Sequence, residues 1–141
     1  DDGIKPSEAE TISYLAIPLL RALGWTPQKM AVEWNRVDIA LFESLPRDDN
    51  QLSVVVEAKK KGDSCLSALS QAQAYAELRP NCQRLIVTDG LRYGVFKKGK
   101  RKEFQLVAYL NLTRMRSSNS IYECLGASEA IWGMTPEGGN G

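Results

Sequence analysis

Asp38, in VDIALF, and Glu57 with Lys59, in VVVEAKK, are the side chains of this 141-residue chain whose types and spacing could do chemistry. Side chains alternate across a strand, so Glu57 and Lys59 fall on one face. With Asp38 opposite them on a neighbouring strand, two carboxylates and an ammonium converge at a sheet edge or cleft. Such a cluster is costly in a core that offers it no partner. Mg2+ suits the role, because it prefers hard oxygen ligands, keeps several waters and bridges one or two carboxylates to a substrate phosphate. That chemistry is phosphodiester hydrolysis. The metal, for which Mn2+ is expected to substitute, stabilises charge on the phosphoryl oxygens and activates a water, while Lys59 positions that water or neutralises the transition state. The backbone carbonyl of Ala58 is a further candidate ligand.

The Glu-x-Lys tripeptide carries little weight alone, since 17 acidic residues and nine lysines in 141 positions produce about one Asp/Glu-x-Lys by chance. A surface Glu–Lys pair at a strand end is the competing explanation. The context is more specific: an Asp on the preceding strand, an apolar strand running into Glu57 and a helix directly after it. No histidine is present, which excludes Ser-His-Asp and Cys-His catalysis, imidazole bases and His-ligated zinc or iron. Catalysis must then rest on carboxylates, lysines, hydroxyls or a hard metal ion.

A net charge of +1 gives no global pull towards nucleic acid. Local charge exists in two runs, Lys59 to Lys61 and Lys97, Lys98, Lys100, Arg101 and Lys102 around Gly99. Both could touch phosphates, although a solvated hairpin tip explains the second run as well. Cys65, Cys82 and Cys124 lie far apart without CxxC spacing, so neither a disulfide framework nor a zinc site is indicated. The composition, 43% hydrophobic and 25% charged, is that of a soluble globular protein, with no run long enough to span a membrane. The polar N-terminus lacks the features of a secretory signal, and a cytoplasmic location is expected. No phosphate-binding loop is present, so no nucleotide site is expected in this chain.

The elements that must position the triad follow from periodicity. Ser7 to Leu23 reads as a helix with Ile12, Leu15, Leu19 and Leu23 inward, Glu8 on the core-facing side, and a kink or rearrangement at Pro18. Gly24 stops it. Lys29 to Phe42 reads as one or two strands, with Val37, Ile39 and Leu41 on the face opposite Asp38. A turn over Ser44 to Gln51 leads into Leu52 to Lys59, whose continuous apolar run predicts burial on both faces. A crossing helix over Ser64 to Arg79, a meander over Arg84 to Thr88, Leu91 to Lys98 and Phe104 to Leu110, and a last helix over Ser118 to Trp132 complete the pattern. The fold class is therefore α/β, a central mixed β-sheet flanked by helices. Residues 1–134 are expected to form the domain, and the Gly-rich 135–141 a linker or terminal tail.

Five segments in order, SEAET with PLLRALGW (Ser7 to Trp25), VDIALF, VVVEAKK, QAQAYAE (Gln71 to Glu77) and LIVTDGLRYGVF (Leu85 to Phe96), cover most of the chain. Together they resemble the N-terminal nuclease domain of the restriction (motor) subunit of type I restriction enzymes and its stand-alone relatives, in the PD-(D/E)xK nuclease superfamily. The resemblance implies a restriction-endonuclease-like core and a Mg2+-dependent DNA endonuclease of a restriction or anti-phage defence system. It makes Asp38 and Glu57 the metal-binding carboxylates, Lys59 the catalytic lysine, Glu8 the first-helix acid, and Gln71 with Tyr75 the QxxxY element. Gln71 and Tyr75 lie one helical turn apart and could reach the cleft or a DNA phosphate together, as could Lys60 and Lys61. The chain departs from the wider superfamily in having Val37 rather than Pro before the metal-binding Asp, and it lacks a helicase motor. The expected partners are DNA and a motor domain or other restriction subunits, with no membrane. The alternative reading is a catalytically silent nuclease-fold module that binds DNA or docks a partner.

Overall fold

Six strands form one sheet in sequence order: β1 (Met30–Trp34), β2 (Val37–Phe42), β3 (Leu52–Ala58), β4 (Arg84–Thr88), β5 (Arg92–Lys98) and β6 (Phe104–Asn111). The computed structural model describes residues 8–59, 65–112 and 126–140. Neighbouring strands pair antiparallel except β3 with β4, which run parallel. Parallel neighbours need a crossover of a dozen or more residues, and the long helix falls in that connection. The protein is thus mixed α/β, as its periodicity predicts.

Two helical layers cover the two faces. On one, Ile12, Ala16 and Leu20 from the N-terminal helix join Ala130 and Met134 of the last helix over Ile39, Leu41, Val54 and Val56. On the other, Ala72 and Ala76 of the crossing helix lie over Ala40, Phe42, Val55 and Leu85. Every residue of β3 is buried, because a strand enclosed on both faces has no solvent side for polar residues.

The N-terminal helix is α1 (Glu8–Thr11), a π-helical turn (Ile12–Ala16) and α2 (Ile17–Ala22). Pro18 explains the change of winding. It has no N–H for the carbonyl four residues back, and its ring crowds that carbonyl, so the preceding turn widens to keep its other bonds. The crossing helix, α3, spans Cys65–Glu77, and the last helix, α4, spans Ala127–Met134. The first part of the helix expected from Ser118, like the Ser7 cap, Lys60 and Lys61, lies outside the described residues. Among the described residues no helix is long and apolar enough to cross a membrane.

Two expectations need correction. Val37 does not share a face with Ile39 and Leu41: it packs in the cluster with Ala40 and Phe42, opposite Trp34 at the β1–β2 hairpin. The stretch beyond Met134, expected as a linker or tail, is docked as a 3-10 turn, Pro136–Asn140. Buried Arg84 donates through Nη1 to the Gly133 and Thr135 carbonyls, both at 2.7 Å, and Lys97 Nζ reaches the Gly138 carbonyl at 3.0 Å. The glycines there serve close approach, since a β-carbon on Gly138 would collide with the Trp132 carbonyl oxygen. Gly138→Ala is expected to lower stability by about 1–3 kcal/mol through overpacking, measured by urea unfolding, with faster amide exchange in residues 137–139. Unchanged exchange there would contradict the docking.

Candidate active site

The register between β2 and β3 ends at the Ile39–Val56 pair. Beyond it Asp38 Oδ2, rather than a backbone carbonyl, accepts the Ala58 N–H at 2.8 Å. The N–H and C=O of one strand residue point to the same side, so the Ala58 carbonyl is directed into the same gap. The Asp38 carboxylate therefore lies against the Glu57–Ala58 peptide, where the two strands part.

Glu57 and Lys59 follow the alternation of β3 and share the α3 face with Val55. Glu57 is 5% exposed, its Oε1 sealed from solvent. The strand is held to its far neighbour as the Lys59 N–H donates to the Thr88 carbonyl at 2.8 Å. The Lys59 side chain is half-buried and forms part of the rim of a cleft of about 270 Å³, whose wall from α3 is Leu69. Since β3 has neighbours on both sides, the site occupies the ends of central strands and not a sheet edge.

Parallel pairing with β3 brings the end of β4 to the same rim. Asp89 Oδ1 accepts the Leu91 N–H at 3.1 Å and the Arg92 N–H at 2.8 Å, and Oδ2 accepts Arg92 Nε at 3.0 Å. Burial alone would raise its carboxyl, but the N–H groups of Arg92 and Leu91 and the Arg92 charge overcome this and hold it below the ordinary carboxylate value. A depressed folded value stabilises the protein above the unfolded one, near pH 4, and that contribution disappears as pH falls through the folded value. Asp89→Asn is therefore expected to flatten the acid limb of stability below about pH 4, read from unfolding midpoints. An unaltered acid limb would remove Asp89 from the account. Burial also pushes the neighbouring Tyr93 phenol up to about 12, with its hydroxyl donating to the Gly90 carbonyl at 3.0 Å.

The other expected residues are distributed differently. Gln71 is exposed on α3, and Tyr75 is half-buried against the α3-side cluster, its carbonyl accepting from Arg79 Nη1 at 2.7 Å. Among the described side chains of α3, Leu69 is the one at the cleft. The Glu8 backbone opens α1, and its side chain lies outside the described atoms, as do Lys60 and Lys61. The basic hairpin tip is remote: Tyr93 pairs with Thr88 at the site end, whereas Lys97 pairs with Arg84 at the other, so Lys98 stands roughly 17 Å along the strand. Lys97 and Lys98 have local roles, the latter over the Phe104 ring at 5.4 Å. Asp89 and Arg92 went unnoticed in the sequence, where Asp89-Gly90 reads only as a turn. Burial also pushes the Cys82 thiol up to about 11, which leaves it inert.

Among the described residues no three His, Cys, Asp or Glu side chains gather closely enough to hold a metal ion. The available donors are Asp38 and Glu57, each one step beyond the last β2–β3 pair, and the Ala58 carbonyl. That set fits Mg2+, which takes one or two carboxylates and keeps its waters, and does not fit a closed zinc site. Comparison with protein-family models, curated proteins and solved structures yields no match for this chain.

Proposed function

We propose that this protein is a Mg2+-dependent DNA endonuclease domain with a restriction-endonuclease-like core, serving a restriction or anti-phage defence system. The observation that carries the reading is the Asp38 carboxylate set against the Glu57–Ala58 peptide, at the mouth of a gap between two central strands. Asp38, Glu57 and the Ala58 carbonyl would hold the ion. When bound, it would stabilise charge on the phosphoryl oxygens and make a water more acidic.

The chain's own residues would do the rest. The Asp38–Ala58 hydrogen bond fixes a carboxylate on rigid strand backbone, so that no side-chain search precedes binding. Lys59, two residues beyond Glu57 on the same face, directs its ammonium to the phosphate, where it orients the attacking water and offsets charge developing in the transition state. Nothing in α3 or the strands resembles a helix reading base edges in a groove. Sequence selection would come from partner subunits, and DNA delivery from a motor domain.

The test is nicking of supercoiled plasmid with Mg2+ by the wild type and Lys59→Ala. Removing one preorganised stabilising group typically costs about 100- to 1,000-fold in rate, and a loss of that size is expected. Equal nicking by both proteins would exclude the mechanism. The catalytically silent alternative predicts no Mn2+ heat in calorimetry, whereas the enzyme binds Mn2+ and loses that binding on Glu57→Ala.

A further inference from the structure

The cleft beside Lys59 has a floor and walls of a different character from its rim. Val87, Gly94, Phe96, Leu106 and Tyr109 from β4, β5 and β6, with Leu69 from α3, make an apolar slot, and Lys59 and the Asp89–Arg92 ion pair stand at its edge. The α3 helix packs over β3 and β4, leaving Leu106 57% and Tyr109 43% exposed on β6. Large apolar side chains left uncovered beside a polar rim mark a binding surface.

Gly94 is the sharper pointer. Glycine weakens the middle of a strand and marks places where another group approaches the backbone closely. A β-carbon there would point into the slot, 3.3 Å from the Phe96 ring and 3.5 Å from Leu106 Cδ1. Its absence keeps a flat space open between Phe96, Leu106 and Tyr109. At about 270 Å³ the slot falls just under the range of roughly 300–1,000 Å³ for pockets that enclose drug-sized ligands, and it suits one ring system entering edge-first.

We propose that this slot receives an unstacked nucleobase of the DNA strand being cut, with its phosphate at Lys59. The inference rests on the nuclease reading and narrows its substrate to DNA with unpaired bases next to the cleavage point, such as single strands, flaps or frayed ends. Aromatic faces stack on any base and so bind without reading sequence. Lys59 at the rim matches a phosphate beside the base, and Asp89, paired with Arg92, adds no net negative charge there. A base held in a duplex must be flipped out to enter, whereas an unpaired one enters without that cost.

The experiment uses the whole chain without divalent metal, so that no strand is cut, and a short single-stranded oligodeoxynucleotide carrying 2-aminopurine. Stacking is expected to quench the probe on binding. Tyr109→Ala should weaken binding about tenfold, the loss of one base stack, and Gly94→Val should do the same by filling the slot while removing no aromatic side chain. Tyr109→Phe, which keeps the ring, should bind as the wild type does, and none of the three should change duplex affinity. Quenching that disappears in the slot variants supports the base site even where Lys59→Ala leaves nicking unchanged. Quenching that persists in both, or is absent in the wild type, overturns it even where nicking depends on Lys59.

Discussion

Asp38→Ala is expected to abolish Mn2+ binding in calorimetry and to lower plasmid nicking about a thousandfold. It should also cost about 1–3 kcal/mol of stability, because the Ala58 N–H loses its acceptor in a part-buried position. The two effects separate in Asp38→Asn. The amide oxygen still accepts the Ala58 N–H, so unfolding should stay within about 1 kcal/mol of the wild type, while the charge that draws the ion is gone. Metal affinity and nicking should then fall in Asp38→Asn as they do in Asp38→Ala. Retained Mn2+ binding in Asp38→Asn would show that the carboxylate serves only to cap the strand, and would end the proposed metal role.

The second large effect is on stability, and it lies at the other end of the sheet. Arg84 is 1% exposed; besides the Gly133 and Thr135 carbonyls it donates through Nη2 to Glu43 Oε2 at 2.7 Å, and its guanidinium stands over the Trp25 ring at 5.8 Å. Trp25 in turn donates through Nε1 to the Met134 carbonyl at 2.6 Å. One guanidinium thus ties β4, the Glu43 loop, the end of α4 and the C-terminal 3-10 turn together. Arg84→Met keeps the aliphatic bulk but strands the buried carbonyls, and should cost about 3–5 kcal/mol, a fall of roughly 10–15 °C in Tm. Arg84→Lys should recover little, because an ammonium cannot reproduce the planar fork that serves several acceptors at once. Glu43→Gln, at a partner a third exposed, should cost about 1 kcal/mol or less. A loss under about 1 kcal/mol in Arg84→Met would show that the clamp is dispensable.

Local pattern made much of the frame legible. The alternation of β2 beyond Val37, the doubly buried run of β3, the helix ending before Pro80 and the two hairpins at Asp89-Gly90 and Gly99 follow from spacing that any short window displays. So does the rearranged turn before Pro18, since one missing N–H dictates it wherever the helix packs. Glu57 and Lys59 share a face for the same reason: a two-residue period is a property of the strand alone.

Other features needed partners distant in sequence. Val37 joins the cluster of Ala72 and Ala76 from α3, a matter of packing between elements. The Gly-rich end has the composition of a linker and becomes docked structure because Arg84, 51 residues before Thr135, meets its carbonyls. The site divides along the same line. By itself the sequence determined which residues carry carboxylates and an ammonium, and that two of them face the same way, because strand geometry is local. Only the tertiary structure decided that Asp38 caps the backbone of Ala58, and that Asp89, Arg92 and the Gly94 slot share a rim with Lys59. Those positions follow from parallel pairing of β3 with β4 across the α3 crossover, a long-range contact that no local period encodes.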